Sequence, residues 1–211
     1  MMKNMFYGCT PSVLDGTENK FTSISTLKVP QEYSFQNQMP PVLNQGATNM
    51  CVTYAVGSHL DWNLNMTTKM KCKDNNVDRK AIYSARTTFG DNGMTFKDAL
   101  NFIKNRGVKT NMGIVKIDNY AKVNSSELLK QALIVNGPCV GGLMVYNDTT
   151  EFWKKMYGNN QLGGHAIAIV GYNKDGFIIR NSWGTTYGNG GYAILKYSDF
   201  NNFFEVWTII D

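Results

Sequence analysis

The sequence predicts an α+β protein of two lobes, with helices in its first half and an antiparallel sheet or barrel in its second. Three observations carry this. Between Cys51 and Gly137 apolar residues recur at helical spacing. After Pro138 the chain turns to short runs rich in Ile, Val and aromatic residues, broken by Gly, Asn and Asp. Two of those runs flank "NKDG" (Asn173–Gly176), a hairpin-turn signal. At 211 residues, with 43% apolar and 18% charged, the chain suits one globular domain with its own core. The expected division is an irregular segment over 1–38, a helical lobe over about 39–137 and a β lobe over about 138–211.

The elements follow in order. Residues 1–38 are polar and punctuated by Gly, Pro, Ser and Thr, which predicts extended or irregular chain. "MPPVLNQGATNM" (Met39–Met50) is a loop. From Cys51, residues Val52, Ala55, Val56, Leu60 and Leu64 form one apolar stripe and predict a helix of about four turns. His59 is expected on its surface. "KMKCKDNNVDRK" (Lys69–Lys80) mixes both charges and predicts a solvated loop. In a second helix Thr95 is the expected cap, Phe96, Ala99, Leu100 and Ile103 face inward, and Gly107 ends the run. A third begins with Asn124 as the expected cap and Glu127 in its first turn. The strands are "PCVGGLMVY", "HAIAIVGY", "GFIIRNSW", "GYAILKY" and "FFEVWTII". Gly188, Gly190 and Gly191 precede a strand rather than a helix, so they are turn glycines and not a phosphate cradle.

Composition excludes several classes. The formal charge of +5 is spread along the chain, so no nucleic-acid partner is expected. No apolar run reaches the length of a membrane span or a signal-peptide core, so neither a membrane partner nor export is expected. Cys9, Cys51, Cys72 and Cys139 show no CxxC spacing and no accompanying histidine cluster. No metal, no cofactor and no disulfide framework are therefore expected, and a reducing, intracellular compartment is. Nothing in the sequence fixes the oligomeric state.

The chemistry gathers around Cys51. It stands where a loop meets a helix, and unpaired N–H groups there favour a thiolate. A thiolate nucleophile needs a base, and the base needs an orienting partner. His165 is the histidine available, because His59 lies two turns along the helix from Cys51. A hairpin turning near "NKDG" would set His165 beside Asn181. Gln45 stands six residues before Cys51, where its amide could serve an oxyanion together with the Cys51 N–H. Cys9, Cys72 and Cys139 are expected to be inert thiols.

These segments resemble the papain-like cysteine peptidases. "NQGATNMC" is similar to the loop that precedes the family's first helix, and "GGHAIAIVGY" to its histidine strand. "IIRNSWGTTYGNGGYAIL" is similar to its Asn-Ser-Trp-Gly segment, and "DNGMTFKDALNFIKNRGV" to its Asn-Gly-Gly stretch and following helix. The resemblance spans roughly residues 40–197 and keeps the order Gln, Cys, His, Asn. It implies the two-lobe papain-like fold and a peptidase acting on polypeptides through a thioester at Cys51. It makes His165 acid and base, Asn181 its orienter and Gln45 the oxyanion donor. Trp183 would shield the His165–Asn181 contact and line the leaving-group side. Gly93, Met94 and Gly164 would border the substrate and favour an apolar side chain two residues before the cut, over a floor drawn from Ser198–Phe204. Thr48 and Asp91 replace cysteines usual in the family, and Val52 replaces an aromatic residue. About 38 residues precede the loop, short for the family's helical inhibitory propeptide, so a divergent microbial or viral type without one is expected. Two alternatives stay open: an acyl transferase or peptide ligase on the same triad, and a silent binding or structural module that keeps the fold.

Overall fold

A computed structural model describes residues 7–69, 74, 76–90, 92–158 and 160–211. Cys72 and Asp91 lie outside the described residues, as does part of the lysine-rich stretch 69–80.

Helix α1 (Cys51–Thr67) begins at the residue singled out in the sequence. Its inner stripe of Val52, Ala55, Val56 and Leu60 packs with α3 (Phe96–Asn105), whose Phe96, Ala99, Leu100 and Ile103 are fully buried. The Thr95 hydroxyl accepts from the Asp98 N–H at 3.0 Å and caps α3. Between them lies α2 (Arg79–Ser84), a short helix that starts at the end of the stretch read as loop, with the Asp78 carboxylate accepting from the Ala81 N–H. A small hairpin, β2 (Val108–Thr110) with β3 (Gly113–Val115), closes this lobe.

The second lobe is built on an antiparallel sheet ordered β4-β9-β5-β6-β7-β8. Its strands are β4 (Asn119–Lys122), β5 (Cys139–Val145), β6 (Gly163–Tyr172), β7 (Gly176–Arg180), β8 (Tyr192–Lys196) and β9 (Phe203–Ile210). A two-residue strand β1 (Tyr33–Ser34) pairs with the far end of β6, and the described residues before it form no helix or strand of their own. Alternation along the strands gives the sheet two apolar faces. Val140, Ala166, Trp207 and Ile209 pack against α1 and α3. Cys139, Ile167, Ile169 and Val206 pack instead with Leu129, Ala132 and Leu133 of α4 (Ser126–Asn136).

Three expectations need correction. The helical lobe was expected to run to about 137, but β4 pairs with β9 and α4 packs on the sheet, so the change of lobe falls near residue 118. Ser125, not Asn124, caps α4, its hydroxyl accepting from the Leu128 N–H at 3.2 Å. His59 is buried rather than on the surface. Its Nδ1 meets the Pro138 carbonyl at 2.7 Å and its Nε2 the Asp211 carboxylate at 2.6 Å, tying α1 to the end of the chain. Among the described residues, no helix is long and apolar enough to cross a membrane.

Candidate active site

The site forms where α1 meets an open stretch of β6. Strand β7 stops at Arg180, opposite Ala168, so the registered pairing does not extend to the His165–Ile167 stretch of β6. Cys51, the first residue of α1, fills that place. The backbone N–H groups of Ala166, Gly8, Val52 and Cys51 face its sulfur. No side chain caps the start of α1, so first-turn N–H groups are available to that sulfur.

His165 sits on β6 with its side chain on the α4 face, in an aromatic box. The Trp183 ring stacks on it with centroids 4.3 Å apart, and Phe152 meets it edge-on at 5.5 Å. Its Nε2 lies 2.8 Å from Asn181 Oδ1. The Ser182 N–H donates to the same oxygen at 2.7 Å, which identifies that atom as the amide oxygen. An amide oxygen only accepts, so the imidazole carries its hydrogen on Nε2. Nδ1 then keeps a lone pair, and among the described residues nothing hydrogen-bonds to it. This is the tautomer a general base needs.

Gln45 is held from both ends. Its Nε2 donates to the Thr48 carbonyl at 2.7 Å, and its Oε1 accepts from the Ser182 hydroxyl at 2.6 Å. Thr48 also donates its hydroxyl to the Gln45 carbonyl at 2.7 Å. Hydrogen bonds thus brace the loop at the position where a cysteine is usual. Ser182 links Gln45 to the Asn181 segment, a part that motif reading passed over although it lies between Asn181 and Trp183. Phe152 was also missed, and its loop gives no local signal.

Gly93, Met94 and Gly164 lie together on one groove, and the groove is filled. The chain's own residues 7–10 run along it. The Gly8 carbonyl accepts from the Met94 N–H at 2.8 Å, the Cys9 N–H donates to the Gly164 carbonyl at 2.9 Å, and the Thr10 N–H donates to the Met94 carbonyl at 3.0 Å. Tyr7 reaches the edge of Trp183. Cys51 and His165 both have 0% exposure.

That burial decides the protonation states. It pushes the Cys51 thiol up to about 11, the facing N–H groups opposing but not cancelling the shift. It pushes His165 down to about 4, with the Asn181 hydrogen bond opposing. The start of α1 was expected to favour a thiolate, but a helix terminus contributes only about 0.3–1 kcal/mol and desolvation prevails. Cys9 and Cys139 are free, buried thiols raised by the same cause.

Glu205 is the other group missed. It lies one residue beyond the stretch expected to floor the groove, 4% exposed, and burial pushes its carboxyl up. It accepts from the Ser12 N–H at 3.2 Å and from Trp207 Nε1 at 2.9 Å. Alternation in "FFEVWTII" could have revealed it, because Glu205 shares the face of Trp207.

Comparison with known proteins shows what the chain as a whole is similar to. The family described as "Papain family cysteine protease" matches residues 29–204. The chain is 26% identical to "Cathepsin B-like CP1" of Giardia intestinalis, over 78% of this chain and 67% of that protein. It is 25% identical to a probable cysteine proteinase of Invertebrate iridescent virus 6, over 47% of this chain but only 30% of the viral protein. Among solved structures, xylellain, a cysteine protease from Xylella fastidiosa, superposes with a TM-score of 0.81 at 22% identity, over 97% of this chain and 95% of that one.

Proposed function

The chain belongs to the papain family of cysteine proteases, and from that premise we propose that it hydrolyses peptide bonds with Cys51, His165, Asn181 and Gln45 as its reacting set. His165 Nδ1 takes the Cys51 proton, and the sulfur attacks the substrate carbonyl carbon. The oxyanion accepts hydrogen bonds from the Cys51 N–H and Gln45 Nε2. The imidazolium returns its proton to the leaving amine, the C–N bond breaks and a thioester remains. Water, deprotonated by His165, then attacks the thioester and releases the acid and the thiol. Asn181 holds the imidazole in the required tautomer, and Trp183 with Phe152 keeps water from that hydrogen bond.

The observation that carries the reading is the His165 tautomer. Asn181 binds Nε2, leaving a basic Nδ1 on the strand whose next N–H faces the Cys51 sulfur. Gly93, Met94 and Gly164 are proposed as the substrate's backbone partners. The free thiols Cys9, Cys51 and Cys139 support a reducing compartment. The test is acid quench of the protein with an ester or amide peptide substrate, read by mass spectrometry. An acyl adduct on Cys51, absent in Cys51→Ala and resolving to free acid even with added amine, supports hydrolysis. Product found mainly as the amide would make the chain a transferase.

A further inference from the structure

The connection from β7 to β8 closes on a glycine turn, and that turn does more than reverse the chain. Gly188, Gly190 and Gly191 all have positive φ, and a Cβ at Gly188 would stand 2.2 Å from the Tyr192 carbonyl oxygen. The turn folds Tyr187 back over the end of β7. The Gly191 N–H donates to the Tyr187 carbonyl at 2.7 Å, and the Gly191 carbonyl accepts from the Asn181 N–H at 3.0 Å. One glycine thus holds the backbones of Asn181 and Tyr187 together.

Tyr187 has 0% exposure. Its ring meets Trp183 edge-on with centroids 5.4 Å apart and lies 6.4 Å from Phe152, the two rings that box His165. Its hydroxyl donates at 2.6 Å to the carbonyl of Thr150, in the β5–β6 loop that carries Phe152. A phenol has one hydrogen, so with Thr150 taking it the oxygen can otherwise only accept. Asn181 supplies a matching donor. Its Oδ1 is engaged by His165 Nε2 and by the Ser182 N–H. Its Nδ2 is buried and, among the described residues, meets no acceptor at full hydrogen-bond geometry. Burial raises the Tyr187 pKa, and the Asn181 side chain opposes that rise as a donor to the phenol oxygen does. The two groups therefore approach each other without good alignment. Hydrogen bonds among catalytic groups are often long or misaligned before substrate binds and tighten with it. A buried N–H left without an acceptor is costly, and the Tyr187 oxygen is the acceptor at hand.

We propose that Tyr187 is a positioning residue of the active site: its hydroxyl oxygen accepts from Asn181 Nδ2, which keeps the amide turned with Oδ1 towards His165, while its hydroxyl hydrogen moors the loop that holds Phe152 against the imidazole. The proposal rests on the reading of Asn181 as the orienter of His165. A flipped amide would set its NH2 group against His165 Nε2 and draw the ring hydrogen to Nδ1, the nitrogen that must be free to take the Cys51 proton. Ser182 holds one end of the amide and Tyr187 the other.

Tyr187→Phe tests this, because it keeps the ring beside Trp183 and Phe152 and removes only the oxygen. Nitrogen NMR on isotope-labelled histidine shows at pH 7 which ring nitrogen of neutral His165 carries the hydrogen, and His165→Gln tells its signals from those of His59. The unaltered protein should show the hydrogen on Nε2. Tyr187→Phe should add a form with the hydrogen on Nδ1. It should also lower kcat roughly 5- to 10-fold with KM unchanged, the scale of one neutral hydrogen bond. In an Asn181→Ala background the same substitution should lower kcat no further, whereas a residue that serves packing alone would lower it again. The unaltered protein gives a separate answer that does not depend on how the variant folds. Its Asn181 side-chain N–H should lie within through-space transfer of the Tyr187 ring and exchange slowly with water. A rapidly exchanging Asn181 amide, or a His165 tautomer unchanged in Tyr187→Phe, overturns the proposal and leaves the hydrolase reading standing. A shifted tautomer with unchanged kcat upholds Tyr187 as the residue that sets the ring and overturns His165 as the base.

Discussion

Acid should destabilise this protein through His165 in particular. His165 is buried and neutral, with its pKa pushed down from 6.5 to about 4 by burial. A group lowered in the folded state binds fewer protons there than in the unfolded chain between those two values. Stability is therefore fully present above pH 6.5 and is lost as pH falls towards 4. The full span corresponds to about 3 kcal/mol, of which about 2.5 kcal/mol is gone by pH 4.5. Against a typical domain stability of about 5–15 kcal/mol this is a large share. Urea unfolding at pH 7.5 and pH 4.5, on the protein and on His165→Gln, isolates it. All other groups are common to the two proteins, so the difference of differences belongs to His165. The unaltered protein should lose about 2.5 kcal/mol more than the variant. Equal losses would mean that His165 is solvated or already paired with an anion, and the neutral-site argument would fall.

Other outcomes follow from the same geometry. Cys51→Ala should abolish turnover while circular dichroism and thermal unfolding stay unchanged, and a fully active variant would end the peptidase reading. Gln45→Ala should lower kcat roughly 100- to 1000-fold in a steady-state assay, the scale for one oxyanion donor. Asn181→Ala should lower kcat less than His165→Ala, because it orients the ring without moving a proton. His59→Ala should leave kcat unchanged but lower denaturant stability by about 1–3 kcal/mol, since the buried Pro138 carbonyl loses its partner.

What the sequence revealed depended on how far apart in the chain the partners lie. His165 and Asn181 were legible because one tight hairpin joins them. Cys51 was legible because the change from loop to helix is a local pattern. The cap of α4 was missed by one residue because Asn124 and Ser125 both suit the role. Only the backbone decides, and Ser125 has the extended φ of −149° and ψ of 160°. His59 was misread because its partners sit 79 and 152 positions away, and helical periodicity knows nothing of them. The lobe boundary failed for the same reason, β4 finding its partner in the last strand. Tyr7–Thr10 has no periodicity at all. Its place is fixed by hydrogen bonds to Met94 and Gly164, which no local rule connects to it.

The burial of the site also bears on the state of its thiol. On the proposed mechanism, attack requires the proton to pass from Cys51 to His165. With pKa values of about 11 and about 4, that transfer is uphill by roughly seven powers of ten, before the attraction between the two ions is counted. With the ordinary values of 9.0 and 6.5 it is uphill by roughly two to three. The difference, about 6 kcal/mol, is several times what the start of α1 contributes to a thiolate. The helix terminus and the Asn181 oxygen are in place in the closed site, yet they cannot produce the ion pair there. Water, or a polar substrate amide in its stead, must first reach the sulfur and the ring. Solvation of the sulfur and the ring would move the pKa values of Cys51 and His165 towards each other, which on the proposed mechanism is the condition for the proton to transfer.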